Sequence, residues 1–166
     1  MDLTTFCESE YPKLVGLLGL WCGDRQVGEE LAQETLARVW QRWPRVKTLD
    51  NPHAWAHRVA LNLARSHVRR RFAEKRARER TLAQRPEQIE PGDVATSMSL
   101  KAAISSLSRR KRSALILHYY LDLPFKDVAE IMEIPESTAK SLGRRAVQDL
   151  RKVLAEPESR EVWDAT

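Results

Sequence analysis

The stretch that most constrains this chain is residues 125–154, FKDVAEIMEIPESTAKSLGRRAVQDLRKVL. Its spacing predicts two helices joined by a tight turn. In the first, Val128, Ala129, Ile131 and Met132 share one side, with Lys126, Asp127, Glu130 and Glu133 outside. Pro135 cannot continue that helix and restricts Ile134 before it. Glu136, Ser137 and Thr138 suit the first turn of a second helix. There Ala139, Leu142, Ala146, Leu150 and Leu154 recur at steps of three and four, which turns one stripe inward. Ser137, Lys140, Ser141, Arg144, Arg145 and Gln148 form the other face. A helix-turn-helix needs such a face, because phosphates take cations and hydroxyls while base edges take Arg, Lys, Ser and Gln. The competing interpretation is an ordinary helical hairpin with a solvated basic face.

The chain has 166 residues, enough for one medium domain or two small ones. A formal charge of +5 suits a polyanionic partner without requiring one. Cys7 and Cys22 are the only cysteines and stand in no paired motif, which fits a reducing compartment. The acidic start MDLTTFCESE has no basic-then-apolar export signal, and no apolar run approaches the ~20 residues needed to span a bilayer. A soluble, cytoplasmic protein is expected.

From the N-terminus, residues 4–21 predict a helix with Phe6, Tyr11, Leu14, Val15, Leu17, Leu18 and Trp21 on a broad apolar face. Pro12 marks its start or a kink. Gly23 and Asp24 break the pattern, and Asp24 caps a second helix over 25–43. Val27, Leu31, Leu36, Val39 and Trp40 face inward there, and Pro44 ends it. Residues 45–51, RVKTLDN, form a short connection. Asn51 followed by Pro52 is a strong helix start. The third helix runs from 52 to at least 71, with Trp55, Val59, Leu63 and Val68 as its apolar side. Its second half is basic, with Arg65, Arg69, Arg70, Arg71, Lys75, Arg76, Arg78 and Arg80 against Glu74 and Glu79. Cations there also suit the helix dipole. Because the run adjoins Trp55, His57, Asn62 and His67, nucleic-acid contact is expected.

Between about 83 and 99 the helical pattern fails. Pro86, Pro91 and Gly92 fall in this stretch, which is expected to be a flexible linker. Periodicity returns at Leu100, Ala103, Ile104 and Leu107. Ser108 caps a helix over 109–120, with Ala114, Leu115, Leu117 and Tyr120 as core candidates.

Four stretches in this order resemble one family, the extracytoplasmic-function (ECF) sigma factors of bacterial RNA polymerase, in the sigma-70 superfamily. GLWCGDRQVGEELAQETLARVWQRW is similar to family regions 2.1–2.2, and NPHAWAHRVALNLARSHVRRR to regions 2.3–2.4. AISSLSRRKRSALILHYYLDLPFKDVAEIM resembles region 4.1 and the start of 4.2, and IPESTAKSLGRRAVQDLRKVL the rest of 4.2. The resemblance implies an all-α fold of two small helical domains, region 2 over 1–80 and region 4 over 99–155. A linker over 81–98 joins them, and a short acidic tail over 156–166 follows. It also implies promoter-specific initiation with core polymerase, no catalysis, no cofactor and no metal.

The same resemblance implies sites. Ser137, Thr138, Lys140, Ser141, Arg144 and Arg145 would hold the minus-35 element. Arg45, Lys47, Asp50, Asn51, Trp55, Arg58, Asn62, Arg65 and Arg69 would read and melt the minus-10 element. Bases would flip into residues 45–51, and Asn62 would read one from the helix. Trp55 serves equally well as core packing. Gln33, Glu34 and Arg38 would dock on the clamp helices of the β′ subunit, and the β flap is a second contact. The linker would thread near the active-site channel, where Glu87, Glu90 and Asp93 are candidates for mimicking nucleic acid. An anti-sigma factor is implied, and the chain alone would be a monomer associated with the nucleoid.

Two pairs of residues depart from the family pattern. Leu142 and Gly143 stand where many relatives have Arg and Leu. The change removes one phosphate-binding cation, and Leu142 is expected to fill the gap left by Gly143. Ser108 and Arg109 replace a common Pro pair. His53 and His57, four apart, have a spacing that can hold a metal, but no third ligand is near in sequence. The alternatives are a stand-alone helix-turn-helix regulator on duplex DNA and a helical adaptor that binds polymerase without opening DNA.

Overall fold

The Asp2 carboxylate accepts hydrogen bonds from the Thr5 amide at 3.0 Å and the Thr5 hydroxyl at 2.8 Å, and this cap opens α1, Leu3–Cys22. The computed structural model describes residues 1–81 and 97–155, and every regular element among them is helical. Two compact units divide the chain, one within 1–94 and one within 95–166. Among the described residues no helix is long and apolar enough to cross a membrane.

In the first unit α1 runs through Pro12 and ends at Gly23, whose φ of 75° is the left-handed conformation glycine adopts without strain. Asp24 caps α2, Arg25–Val46, by accepting from the amides of Gln26 and Val27. The backbones of α1 and α2 meet at two glycines. A Cβ on Gly28 would lie 2.5 Å from the Gly19 nitrogen, so no side chain fits between them. Pro44 does not end α2, contrary to expectation. Its missing N–H costs one bond near the helix end, and buried Val46 anchors the final turn. Arg45 therefore belongs to the helix. Asn51 caps α3, Pro52–Thr81, accepting from the Ala54 amide at 3.0 Å.

The core of this unit is Phe6, Leu14, Leu17, Leu18 and Trp21 from α1, Leu31, Ala32 and Val39 from α2, and a largely small-residue face of α3. That face is Ala54, Ala56, Ala60, Leu61, Leu63 and Ala64, whereas Trp55, Val59 and Val68 are only half-buried. Trp40, expected inward, is 67% exposed, and Tyr11 also lies out. Alanines let α3 pack closely, so less of its apolar bulk is needed inside.

In the second unit α4, Ser97–Ser106, begins inside the expected linker. The remainder of the linker, with Glu87, Glu90 and Asp93, and the tail over 156–166 lie outside the described residues. Ala103, Ile104 and Leu107 are buried, but Leu100 is exposed. Ser108 caps α5, Arg109–Leu115, as expected. The Arg112 guanidinium donates to the carbonyls of Ile104, Ser105 and Leu107, satisfying the open end of α4. α5 widens without a break into a π-helical turn, Ile116–Tyr120, closed by the Leu121 amide on the Ile116 carbonyl at 3.0 Å. The wider turn rotates the residues after Leu117, so Tyr120 is 54% exposed rather than in the core.

α6, Phe125–Met132, stops at Glu133 in the left-handed conformation, where the Ile134 amide closes back on the Ala129 carbonyl. α7, Glu136–Ala155, follows after Pro135. Val128, Ala129 and Ile131 face Ala139, Gly143 and Ala146 in the core between them. Leu142 and Leu150 are half-buried, and Leu154 is exposed.

Candidate nucleic-acid interfaces

Asn51, Trp55, Arg58, Asn62, Arg65 and Arg69 follow each other along α3 at steps of four, three, four, three and four. At 3.6 residues per turn they fall in one sector about 80° wide. Asn62 and Arg69 are exposed, and Arg65 Nη1 donates to Asn62 Oδ1 at 3.3 Å. Trp55 is half-buried against Phe6, Val39 and Ala56, so part of its ring belongs to the core. The Asn51 side-chain oxygen is engaged as the helix cap. Arg45, Lys47 and Asp50 are exposed just before the helix, where Thr48 donates from its amide and hydroxyl to the Arg45 carbonyl. One helix face, the turn leading into it and the last turn of α2, which carries Arg45, thus hold all nine residues expected to meet the minus-10 element.

Beneath the start of this face lies a buried charge. Glu10 sits on the apolar stripe of α1 with Phe6, Leu14 and Leu17, and is fully buried. Lys13 Nζ donates to its Oε1 at 2.7 Å. His53 Nδ1 lies 2.9 Å from the same oxygen, and His57 Nε2 lies 3.0 Å from Oε2. Burial alone would raise the carboxyl pKa. The contacts from His57 and Lys13, with the charges of both imidazoles, outweigh it and hold the group at about 2. The His53 ring also stacks on Phe6, with centroids 5.0 Å apart, and Phe6 meets Trp43 at 5.3 Å. α1 therefore grips α2 and α3 on both sides of the turn over 47–51. Histidines spaced for a metal instead converge on Glu10, whose signal in the sequence is a carboxylate on an apolar stripe.

In the second unit, the solvent side of α7 presents Ser137, Lys140, Arg144 and Arg145, with Thr138 and Ser141 half-exposed beside them. Lys140 Nζ pairs with Glu136 Oε1 at 2.8 Å, an exposed pair that a phosphate can displace cheaply. Lys111 Nζ reaches Asp149 Oδ2 at 2.7 Å, tying α5 to α7, and its hydrogen bond holds that carboxyl below its usual range. Leu142 does not fill the space at Gly143. The Phe125 ring does, since a Cβ on Gly143 would come within 2.9 Å of Phe125 Cε1. Phe125 is in turn stacked on His118 with centroids 3.8 Å apart, and His118 Nδ1 meets the Leu123 carbonyl at 2.7 Å.

On α2, Gln33 and Glu34 are exposed, and Arg38 is half-exposed and pairs with Glu34 at 2.9 Å. Trp40 stands on the Gln33 side of this face, seven residues on. Sequence patterning missed it because Trp40 and Trp43, three apart, both fit an inward stripe.

Two family models match the chain: Sigma-70 region 2 over residues 6–73 and Sigma-70, region 4 over residues 97–150. The ECF RNA polymerase sigma factor SigL of Mycobacterium tuberculosis is 29% identical over 138 residues, covering 81% of this chain and 78% of the relative. SigM of Bacillus subtilis is 29% identical over 133 residues, covering 77% and 80%. The RNA polymerase sigma-H factor of Pseudomonas aeruginosa is 24% identical over 157 residues, covering 86% and 80%. The fold is similar to that of the sigma factor RpoE of Bartonella quintana, solved with the anti-sigma factor NepR. The TM-score is 0.75 at 24% identity, over 92% of this chain and 96% of that one. With both conserved-region models matched in order on an all-α chain, this protein belongs to the ECF sigma factors of the sigma-70 superfamily, which direct RNA polymerase to promoters and are not themselves catalysts.

Proposed function

We propose that the two units divide promoter recognition between them. The α7 face, with Ser137, Thr138, Lys140, Ser141, Arg144 and Arg145, enters the major groove of the minus-35 element. The turn over 45–51 and the α3 stripe from Asn51 to Arg69 take the minus-10 element, with bases flipped into the turn and Asn62 reading one. The observation that carries this assignment is the single 80° sector, roughly, on which Asn51, Trp55, Arg58, Asn62, Arg65 and Arg69 align. A solvated surface has no reason to keep two amides, an aromatic ring and three guanidiniums in one line. Gln33, Glu34 and Arg38 dock on the β′ clamp helices, and the second unit meets the β flap. An anti-sigma factor holds the protein inactive in the cytoplasm, and release lets it join polymerase on the nucleoid.

Permanganate footprinting of holoenzyme, reconstituted from core polymerase and this chain on its own promoter, tests the assignment. Unpaired thymines near minus 10 with duplex protection near minus 35 are expected. Duplex binding by the chain alone, with no promoter-specific transcript, would instead favour a stand-alone regulator.

A further inference from the structure

α7 has little of its own to anchor its inner side. Its buried residues, Ala139, Gly143 and Ala146, offer at most one methyl each, so the surroundings set the depth at which the helix lies. At Gly143 those surroundings are rings. A Cβ there would come 2.9 Å from Phe125 Cε1, 3.0 Å from Phe125 Cζ and 3.9 Å from Tyr119 Cε2. His118 stacks on the face of Phe125 with centroids 3.8 Å apart and planes 20° apart, and Tyr119 meets His118 edge-on at 4.6 Å. Leu123 fixes the imidazole in turn. Its carbonyl can only accept, so His118 Nδ1 donates across the 2.7 Å between them, while the Leu123 amide donates to the Leu117 carbonyl at 3.2 Å. His118 and Tyr119 both come from the π-helical turn over 116–120, a form frequent at functional sites. The stacked rings lie on the inner side of α7, yet the exposed Arg144 and Arg145 follow Gly143 directly.

Resting on the assignment of α7 to the minus-35 element, we propose that His118 and Phe125 are positioning residues that decide which bases α7 reads, without touching DNA. His118 holds the Phe125 ring in one rotamer, and the edge of that ring fixes the seat of Gly143. Side chains that read a partner must be held to within about 0.5 Å by supporting packing of this kind. Loss of the stack frees Phe125 and lets α7 settle, which displaces Arg144 and Arg145 together. Base edges are read by directed hydrogen bonds, so base reading suffers. Attraction to phosphates depends on charge and tolerates the shift.

The test compares holoenzymes carrying wild-type protein, His118→Ala, His118→Phe, Phe125→Leu and Arg144→Ala. Each is titrated onto duplex promoters bearing every single-base change in the minus-35 element, at several salt concentrations. His118→Ala should reduce the preference for the native element over its poorest variants by about tenfold, within the worth of one base pair. Affinity for a promoter with a scrambled minus-35 element, and its salt dependence, should stay within about twofold of wild type. His118→Phe keeps a flat ring against Phe125 and should retain the preference. Phe125→Leu is apolar but has no flat edge, and should lose the preference at the same base positions as His118→Ala. A thermal melt identifies an unfolded His118→Ala protein, in which case Phe125→Leu decides. An equal loss on every sequence, or a His118→Phe protein as unselective as His118→Ala, would overturn the proposal. If Arg144→Ala changes the preference while His118→Ala and Phe125→Leu do not, only the positioning role fails. If none of the three does, the assignment of α7 fails with it.

Discussion

Two residues show how single side chains set the limits here. Glu10 is ionised and buried, and it holds Lys13, His53 and His57 around it. Glu10→Gln removes one partner of a buried ionic cluster, so unit one should lose about 3 kcal/mol at neutral pH. The folded pKa, about 2, lies below the 4.5 of an ordinary glutamate. The contribution is therefore fully present above about pH 4.5 and fades as pH falls toward 2. Denaturant melts of both proteins between pH 2 and pH 7 should converge at the acid end; a gap independent of pH would contradict the assignment. At Gly143 two effects oppose each other. Alanine there gains about 1 kcal/mol of helix propensity, but its Cβ meets a Phe125 ring pinned by His118. Gly143→Ala should therefore be neutral or destabilising, and Phe125→Leu should relieve it, with a coupling above about 0.5 kcal/mol in a double-mutant cycle.

At the scale of elements, α7 buries Ala139, Gly143 and Ala146 and exposes its cations. Replacing Arg144 by Ala should cost about 1–3 kcal/mol in binding duplex that carries the upstream element. Transcription from a pre-melted template should be little changed; equal losses on both templates would refute a base-reading role. Helix starts were legible from sequence because caps are local: Asp24, Asn51 and Ser108 each accept the amides expected of them. Helix ends and facing were less so. Pro44 stays within α2 because buried Val46 holds the last turn, and Tyr120 turns outward because the helix widens after Leu115. Neither cause is local in sequence. The α7 and α3 residues expected to meet DNA do share faces.

For the whole molecule, two helical units present separate surfaces, and under the proposed assignment the α2 face is where polymerase would bear. Glu34→Lys reverses a charge on that face and breaks the 2.9 Å pair with Arg38. Core-enzyme affinity should fall by about tenfold or more in competition with another sigma factor, like-charge contacts at an interface being costly. Unchanged competition would move the docking surface elsewhere. The glycine contact between α1 and α2 bears on the same function. Gly28→Ala adds one methyl where there is room for none, so the two rods must part by about the width of that group. Gln33 and Glu34 ride on the displaced rod. A substitution far from any nucleotide, invisible to a search for binding residues, would thereby loosen the grip on polymerase and shift which genes are read.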